Sequence, residues 1–382
     1  MITSKKLGIG LPRMHLEPGE RRDFLPGFVA FLGNLGWEIT LENDYGSGVG
    51  LTEKDYLDVT GQASFGVIEE VYSQDYVLVL RYPGDKMIKL MHPGACLISM
   101  LHYPTRPDRV EFLNELNLKG ISLDTIKDDS GQRLIENLKA VAWNGLEVAF
   151  EALAKNYPPP GFESPLRPPV RVTVLGAGEV GKNVVQAAIS YGNPELRKKL
   201  IAGGSPGVQV TVVDYDLTEF KETMRDILSS CDILVDATQR LDSSKPVIPN
   251  SWLEWLPDHA IITDLAVDPY TIDTHPPVVR GIEGIPQGNL DKYVFNWDDP
   301  DWEKTVPLTI PSTHRRTVVS CYSWPGIHPK KCMYHYGEQL KPLMVELINK
   351  GYDRLSFDSD YFGRALFRGT LKAWSKSETS AI

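Results

Sequence analysis

Residues 171–185 read RVTVLGAGEVGKNVV, in which an apolar run enters a glycine-rich turn and a helical pattern follows it. Gly176, Gly178 and Gly181 have the spacing G-x-G-x-x-G. Between a strand and a helix, the first glycine permits a tight turn, the second lets the backbone approach a pyrophosphate, and the third allows close packing. The start of the helix also offers N–H groups and a positive dipole to phosphates. The residues predicted to contact a dinucleotide here are Gly176, Gly178, Glu179, Val180 and Gly181.

Three more apolar runs alternate with helical patterns, so residues from about 170 to 270 predict a βαβαβ series. Asp214 ends the second run, and a carboxylate there accepts from ribose hydroxyls and repels a 2′-phosphate, which favours NAD over NADP. It lies 33 residues after Gly181, where the motif expects about 20. Residues 193–207 therefore predict a surface insertion, and its three consecutive basic residues leave NADP open. A Rossmann-like domain that binds S-adenosylmethionine, or no nucleotide, is also left open.

The first 130 residues alternate short apolar runs with helical patterns, which is typical of an α/β unit. The runs YVLVLRYP (76–83) and ACLISMLHYP (95–104) fit buried parallel strands. A long helical pattern at 134–155 leads into NYPPPGFESPLRPPV, whose six prolines exclude a helix or a central strand. We therefore expect an N-terminal part of a substrate domain at 1–155, a linker at 156–170, a nucleotide-binding domain at 171–310, and a C-terminal part of the substrate domain at 311–382.

Composition excludes several other classes of protein. Of 382 residues, 42% are hydrophobic and 24% are charged, as in ordinary globular proteins. The net charge of −10 gives no basic footprint for nucleic acid. No apolar run reaches the length of about 18 residues that a membrane span needs, and the first 22 residues lack the apolar core of a signal peptide. The four cysteines are too scattered for a disulfide scaffold, so a cytoplasmic location is expected.

Four residues near the C-terminus, Cys321, His328, Cys332 and His335, are of types that bind metals. Their spacing, C-x6-H-x3-C-x2-H, lacks the close cysteine pair that zinc sites favour. We therefore predict no metal site and interpret these side chains as loop and helix packing.

Six motifs, in order along the chain, resemble the alanine dehydrogenase, pyridine nucleotide transhydrogenase and saccharopine dehydrogenase family. They are PGERRDFLP (18–26), VLVLRYP (77–83), SMLHYP (99–104), VLGAGEVG (174–181), DLAVDP (264–269) and SCYSWPGIHP (320–329). The resemblance implies an α/β fold with two Rossmann-like domains, in which the nucleotide-binding domain is inserted between the N- and C-terminal parts of the substrate domain. It also implies an active site in the interdomain cleft and a homo-oligomer.

The resemblance implies roles for side chains within these motifs. Arg22 would bind a substrate carboxylate, because a planar, permanently charged fork suits that group; the adjacent Arg21 could take the role instead. His102, at the end of an apolar strand, would be a catalytic proton shuttle. Asp268 would be the second catalytic residue and would hold the amine or order a water, although Asp-Pro is also a common turn. Asp264 could be structural.

Two positions depart from the family pattern. Arg81 stands where the family usually has lysine, so it can bind a substrate carboxylate but cannot serve as a base, since arginine keeps its proton. This substitution weakens an assignment to saccharopine dehydrogenase and to strict alanine dehydrogenase. Ser323 stands where the family commonly has asparagine, and it lacks the amide donor.

We expect an NAD-dependent oxidoreductase, with NADP not excluded, that acts on the C–N bond of an amino acid by oxidative deamination or reductive amination. Its partners would be a small amino acid or 2-oxo acid, without nucleic acid or membrane. The nearest alternative is an opine-type or saccharopine dehydrogenase-like enzyme that joins a 2-oxo acid to an amino-acid amine, which a second carboxylate site near Arg106 would favour. A non-catalytic NAD-binding protein and a methyltransferase are further alternatives. The substrate side chain and the physiological direction are left open.

Overall fold

The computed structural model describes residues 7–240 and 242–379, so the first six residues, part of the segment in which no signal peptide is predicted, lie outside the described residues. The strands are β1 (Gly8–Leu11), β2 (Glu38–Glu42), β3 (Ala63–Gly66), β4 (Tyr76–Arg81), β5 (Cys96–Met100), β6 (Lys119–Ser122), β7 (Val170–Leu175), β8 (Val208–Val213), β9 (Ile233–Asp236), β10 (Ile261–Asp264), β11 (Val294–Phe295) and β12 (Thr317–Ser320).

The α-helices within these ranges are α1 (Pro26–Asn34), α2 (Glu53–Leu57), α3 (Ile68–Tyr72), α4 (Asp85–Ile88), α5 (Pro107–Glu115), α6 (Leu138–Asn156), α7 (Glu179–Ile189), α8 (Pro194–Ala202), α9 (Tyr215–Thr218), α10 (Lys221–Leu228), α11 (Trp302–Thr305), α12 (Pro329–Lys350), α13 (Tyr361–Arg368) and α14 (Leu371–Thr379). In the part of the chain that the structure describes, none of the helices has the length and apolar character needed to cross a membrane.

The first sheet has the strand order β3-β2-β1-β4-β5-β6, and all neighbouring strands are parallel. This is the order of a Rossmann-type sheet. Both faces are covered: α1, α12 and α13 share one hydrophobic core with the strands, and α5 shares another. Burial on both faces explains the nearly continuous apolar runs of β4 and β5.

The second sheet has the order β11-β12-β10-β9-β7-β8, with only β11 antiparallel among its strands. This is the order of a doubly wound sheet. The chain adds β8 on one side of β7 and then β9 on the other side, so the direction in which strands are added reverses at β7. The predicted α/β class, with two Rossmann-like sheets, is confirmed by the two strand orders.

The chain divides into two compact units. One ends at Asn137 and resumes at His328, and the other is Leu138–Ile327. These bounds differ from the predicted boundaries at 155 and 310, because α6 packs on the second sheet and β12 pairs with β10. A Cβ added to Gly145 of α6 would lie 2.4 Å from Cδ2 of Leu265, so the Leu265 side chain packs directly over this glycine.

Residues 157–169 form neither helix nor strand, as their proline content predicts. They are nevertheless packed within the second unit, where Phe162 and Arg167 are buried. Nε of Arg167 donates to the carbonyl of Phe162 (2.5 Å), and Nη2 donates to the hydroxyl of Tyr191 (3.1 Å). The proline-rich segment is therefore held by burial and hydrogen bonds.

The predicted insertion at 193–207 contains α8. Oδ1 of Asn193 accepts from the backbone N–H groups of Glu195 and Leu196 and so caps the helix. Leu200 anchors the helix in the core of the second unit. Because α8 lies between α7 and β8, it lengthens the path from the glycine turn to Asp214 without interrupting the strand–turn–helix unit.

Candidate functional site

The glycine turn lies between β7 and α7, and its three glycines have different surroundings. Gly176 has φ +95°, and an added Cβ would lie 2.8 Å from the carbonyl oxygen of Ala237. A Cβ at Gly181 would lie 2.1 Å from the carbonyl oxygen of Gly176. At Gly178 nothing lies within 4 Å of an added Cβ. The outer glycines therefore close the turn, whereas Gly178 leaves open space where α7 begins.

A cavity of about 620 Å³ adjoins this turn at the carboxyl ends of β7, β8 and β9. Asp214 lines it, and its Oδ1 accepts from the backbone N–H of Tyr215 (2.9 Å), where α9 begins. Tyr215 and Trp252 also line the cavity. Open α/β sheets bind ligands at such an edge, where the strand order reverses. The open backbone at Gly178 and the strand-end carboxylate fit the pyrophosphate and a ribose of a pyridine nucleotide.

Asp268 follows β10 and is held by Arg240, which follows β9. Nη2 of Arg240 donates to Oδ2 of Asp268 (2.5 Å), and the side chains are 6% and 37% exposed, respectively. Nη2 also donates to the carbonyl of Val279 (2.6 Å), and Nη1 donates to the carbonyl of Lys245 (2.8 Å). Asp268 is therefore more than the turn residue that Asp-Pro alone would predict.

Two further carboxyl groups lie at the ends of β9 and β10. Asp264 accepts from Nη2 of Arg280 (2.6 Å) and from Oγ of Ser320 (2.9 Å), which supports a structural role. Oδ1 of Asp236 accepts from Oγ1 of Thr238 (2.6 Å), whereas its buried Oδ2 has no partner among the described residues. Burial, followed by the neighbouring Asp264 carboxylate, raises the pKa of Asp236.

The loop between β1 and α1, in the first unit, carries Arg22 in a closed arrangement. Nε of Arg22 donates to Oε1 of Glu20 (2.8 Å), Nη2 pairs with Oε2, and the two side chains are 2% and 1% exposed. Next to them, Oδ2 of the buried Asp23 accepts from the backbone N–H of Gly46 (2.8 Å). The predicted carboxylate-binding fork is thus occupied by a carboxylate of its own loop, whereas the alternative Arg21 is exposed.

A group of arginines follows β4 and β5. Arg81 ends β4 and lies 3.4 Å from Glu17, with both side chains about one-third exposed. Arg109 of α5 stacks on the Tyr82 ring at 3.9 Å and donates to the carbonyl of Leu101 (3.3 Å). Burial, and to a lesser extent the charges of Arg106 and Arg81, lower the pKa of Arg109. The carboxyl edge of this sheet therefore gathers positive charge.

His102 lies two residues beyond β5 and is held by Asp124, which follows β6. The backbone N–H of His102 donates to Oδ1 of Asp124 (3.1 Å), and its Nδ1 lies 3.3 Å from Oδ2. Burial raises the pKa of Asp124, but hydrogen bonds from His102 and Ser122 outweigh it and lower the pKa to about 2. An ionised acceptor at Nδ1 leaves Nε2 to exchange a proton. The imidazole is half-exposed, and its residue has a φ of +54°.

The predicted absence of a metal site remains a prediction, although no group of three potential metal ligands occurs among residues 7–240 and 242–379. Cys321 is buried in the second unit, and Cys332 is buried in the first. Nε2 of His335 lies 2.9 Å from the carbonyl oxygen of Glu136. Ser323, beside buried Trp324, accepts through its carbonyl from the N–H of Gly326 (2.9 Å).

Each unit thus gathers part of the predicted site at the carboxyl edge of its own sheet. The first unit carries Arg22, Arg81 and His102, and the second carries the glycine turn, Asp214 and Asp268. Four residues that contact them were not predicted as their partners: Glu17, Glu20, Asp124 and Arg240. Asp124 had a usable signal, because it follows an apolar run next to the strand that ends before His102.

The two strand orders and the glycine turn define a two-unit α/β protein of the dinucleotide-binding class. Residues 12–142 match the family model described as the N-terminal domain of alanine dehydrogenase and pyridine nucleotide transhydrogenase. This match confirms the family resemblance that the six motifs predict. It covers the part of the chain that contains Arg22, Arg81 and His102.

Two relatives illustrate the sequence similarity. The alanine dehydrogenase of Geobacillus stearothermophilus is 21% identical over 360 residues, which is 90% of this chain and 88% of the relative. The NAD(P) transhydrogenase subunit alpha of Haemophilus influenzae is 24% identical over 214 residues. That match covers 53% of this chain and only 41% of the transhydrogenase subunit.

Solved structures support the fold. An L-alanine dehydrogenase superposes with a TM-score of 0.70 at 19% identity, covering 95% of this chain and 94% of that one. A transhydrogenase from Sinorhizobium meliloti gives a TM-score of 0.60 at 15% identity, with coverages of 89% and 94%. At these identities the likeness shows the fold, and the chemistry has to be argued from the side chains.

Proposed function

We propose that this protein is an NAD-dependent oxidoreductase that acts on the C–N bond of an amino acid. The observation that carries the proposal is the pairing of His102 with Asp124 beside the arginines of the first sheet. This arrangement supplies an oriented proton carrier near positive charge, as chemistry on an amino acid or a 2-oxo acid requires. The glycine turn of the second unit supports the nucleotide part of the proposal.

In the deamination direction, bound NAD supplies the acceptor for the hydride that leaves the substrate α-carbon. Arg81 binds the substrate carboxylate, since its guanidinium is one-third exposed. Arg22 can bind the same substrate carboxylate only when the Glu20 carboxylate is displaced from it. Nε2 of His102 takes a proton from the attacking water and returns it to the departing amine, while Asp124 holds Nδ1. Asp268 orients the amine through its carboxylate.

For the cofactor, we propose NAD rather than NADP. Asp214 lines the nucleotide cavity together with Glu219 and Asp242, and Lys245 is the basic residue whose side chain is exposed there. A 2′-phosphate would meet more negative than positive charge at this wall, whereas ribose hydroxyls would find carboxylate acceptors.

The test is NADH oxidation, followed by nicotinamide absorbance, with a panel of 2-oxo acids and ammonia. The wild type is compared with His102→Ala and with Asp124→Asn, which keeps the shape of the side chain but removes its charge. Turnover that falls in both variants, while NADH binding is kept, supports the proposal. NADH binding without turnover in any reaction favours a non-catalytic NAD-binding protein instead.

A second candidate is an opine-type or saccharopine dehydrogenase-like enzyme, in which an amino acid supplies the amine. It is favoured by Arg106 and Arg109, which add cationic groups near Arg81 that a second carboxylate would neutralise. The same assay separates the candidates when amino acids replace ammonia. Turnover only with amino acids, lost in Arg109→Met, would select this reaction.

A further inference from the structure

Arg240 lines the nucleotide cavity, yet its guanidinium is directed into the second unit and its side chain is only 6% exposed. It donates to three backbone carbonyls, those of Ser243, Lys245 and Val279, in addition to the Asp268 carboxylate. These acceptors come from three separate segments, so the guanidinium is held from several directions. A charge-assisted bond from such a group restrains its acceptor in one orientation.

Asp268 is constrained on its backbone side as well. The preceding residue, Val267, has φ +55°, and its N–H donates to Oδ1 of Asp264 (2.9 Å). No hydrogen bond to Asp268 other than that of Arg240 is found in the described part of the chain. With Oδ2 bound and the side chain 37% exposed, Oδ1 is the oxygen available to a ligand.

We propose that Arg240 is the positioning residue of the site: it holds Oδ2 of Asp268 so that Oδ1 is presented to the substrate amine. The inference rests on the proposed function, in which Asp268 orients that amine. Arg240 itself touches neither substrate nor reacting atoms. Because it also belongs to the wall of the nucleotide cavity, it links the position of the amine-binding carboxylate to the loop beside the cofactor.

The test compares Arg240→Met, which keeps length and removes every donor, with Arg240→Lys, which keeps the charge. Both are made in the wild type and in the Asp268→Asn background. We expect Arg240→Met to lower kcat about tenfold or more while KM for the 2-oxo acid stays within about twofold, because alignment rather than carboxylate binding is lost. Arg240→Lys should recover part of kcat.

The double variant separates positioning from general support of the fold. If Arg240 acts through Asp268, Arg240→Met should change kcat less than about twofold once Asp268→Asn is present. Arg167→Met is the matched control, because Arg167 is a buried arginine of the same unit whose hydrogen bonds go to Phe162 and Tyr191, away from Asp268. Its effect on kcat should be the same in both backgrounds. Equal losses from Arg240→Met in both backgrounds, or an effect on KM alone, would overturn the inference.

Failure of the proposed function has a different signature, since the wild type itself would then turn over no substrate. The inference is still tested in that case by the urea midpoints of the two single variants and the double variant. Shifts that are clearly non-additive support the restraint of Asp268 by Arg240, and additive shifts refute it. Should Arg240→Met not fold, the same cycle is run with Arg240→Lys.

Discussion

Asp23 offers a quantitative test of the loop that carries Arg22. The residue is 4% exposed, and burial raises the pKa of its carboxyl group from the usual 3.8 to about 6, against the opposing hydrogen bond from Gly46. Asp23→Asn keeps an oxygen that can accept from that N–H and removes the titration. The substitution therefore isolates the cost of ionising this buried group.

The magnitude follows from the two pKa values. A folded-state pKa above the unfolded one means that the protonated group stabilises the fold fully below pH 3.8, and that this contribution is lost as pH rises through about 6. At about 1.4 kcal/mol per pKa unit, the total loss is about 3 kcal/mol, and about half has occurred by pH 5. Between pH 5 and 7.5 the wild type should lose about 1.4 kcal/mol that the variant keeps.

Urea unfolding at pH 5, 6 and 7.5 measures this difference. We expect the stability of Asp23→Asn relative to the wild type to rise along this series, whatever its offset at pH 5. Asp129→Asn is the control, because hydrogen bonds from Arg364 and Arg368 lower the pKa of Asp129 and place its titration below this range. Its offset should be constant. If the free energies of unfolding of Asp23→Asn and the wild type change in parallel with pH, the raised pKa assigned to Asp23 is refuted.

Four further predictions concern the site. Gly178→Ala should leave thermal stability unchanged and weaken NADH binding, measured by fluorescence, because an added Cβ there meets no protein atom. Gly181→Ala should lower Tm, because its added Cβ would collide with the backbone carbonyl of Gly176. Asp214→Ser retains a helix-capping oxygen and removes the negative charge. It should raise the affinity for NADPH, relative to that for NADH, about tenfold when both are measured by titration. Asp124→Asn should lower kcat by about tenfold to a hundredfold with an unchanged Kd for NADH. Glu20→Gln should lower KM for the 2-oxo acid in steady-state kinetics.

The nucleotide half of the fold was predictable because its signals are local. An apolar run, a glycine turn and a helical pattern follow one another within residues 171–185, and Asp214 directly follows the next strand. The helical segment before residue 156 was recognisable as a helix for the same reason. Its amphipathic pattern could not say which sheet it covers, so the structure places the boundary between the units at Asn137 instead.

The sequence could predict which site residues lie at strand ends, but it could not predict which side chains contact them. His102 could be placed beyond β5 from the sequence alone, whereas its contact with Asp124 depends on β5 and β6 being neighbours. Arg240 and Asp268 likewise meet because β9 and β10 are adjacent. Glu20, only two residues from Arg22, was within reach of a local argument. The roles of these residues stay predictions.

The buried pair of Glu20 and Arg22 has a consequence for how a substrate would compete. A substrate carboxylate can bind Arg22 only by displacing the Glu20 carboxylate, which belongs to the same loop and is therefore always present at high effective concentration. If Glu20 remains bound to Arg22 about 99% of the time, the apparent affinity of Arg22 for a substrate carboxylate is about a hundredfold lower than its intrinsic affinity. Such an occupied site would respond to an abundant metabolite and stay closed to scarce carboxylates.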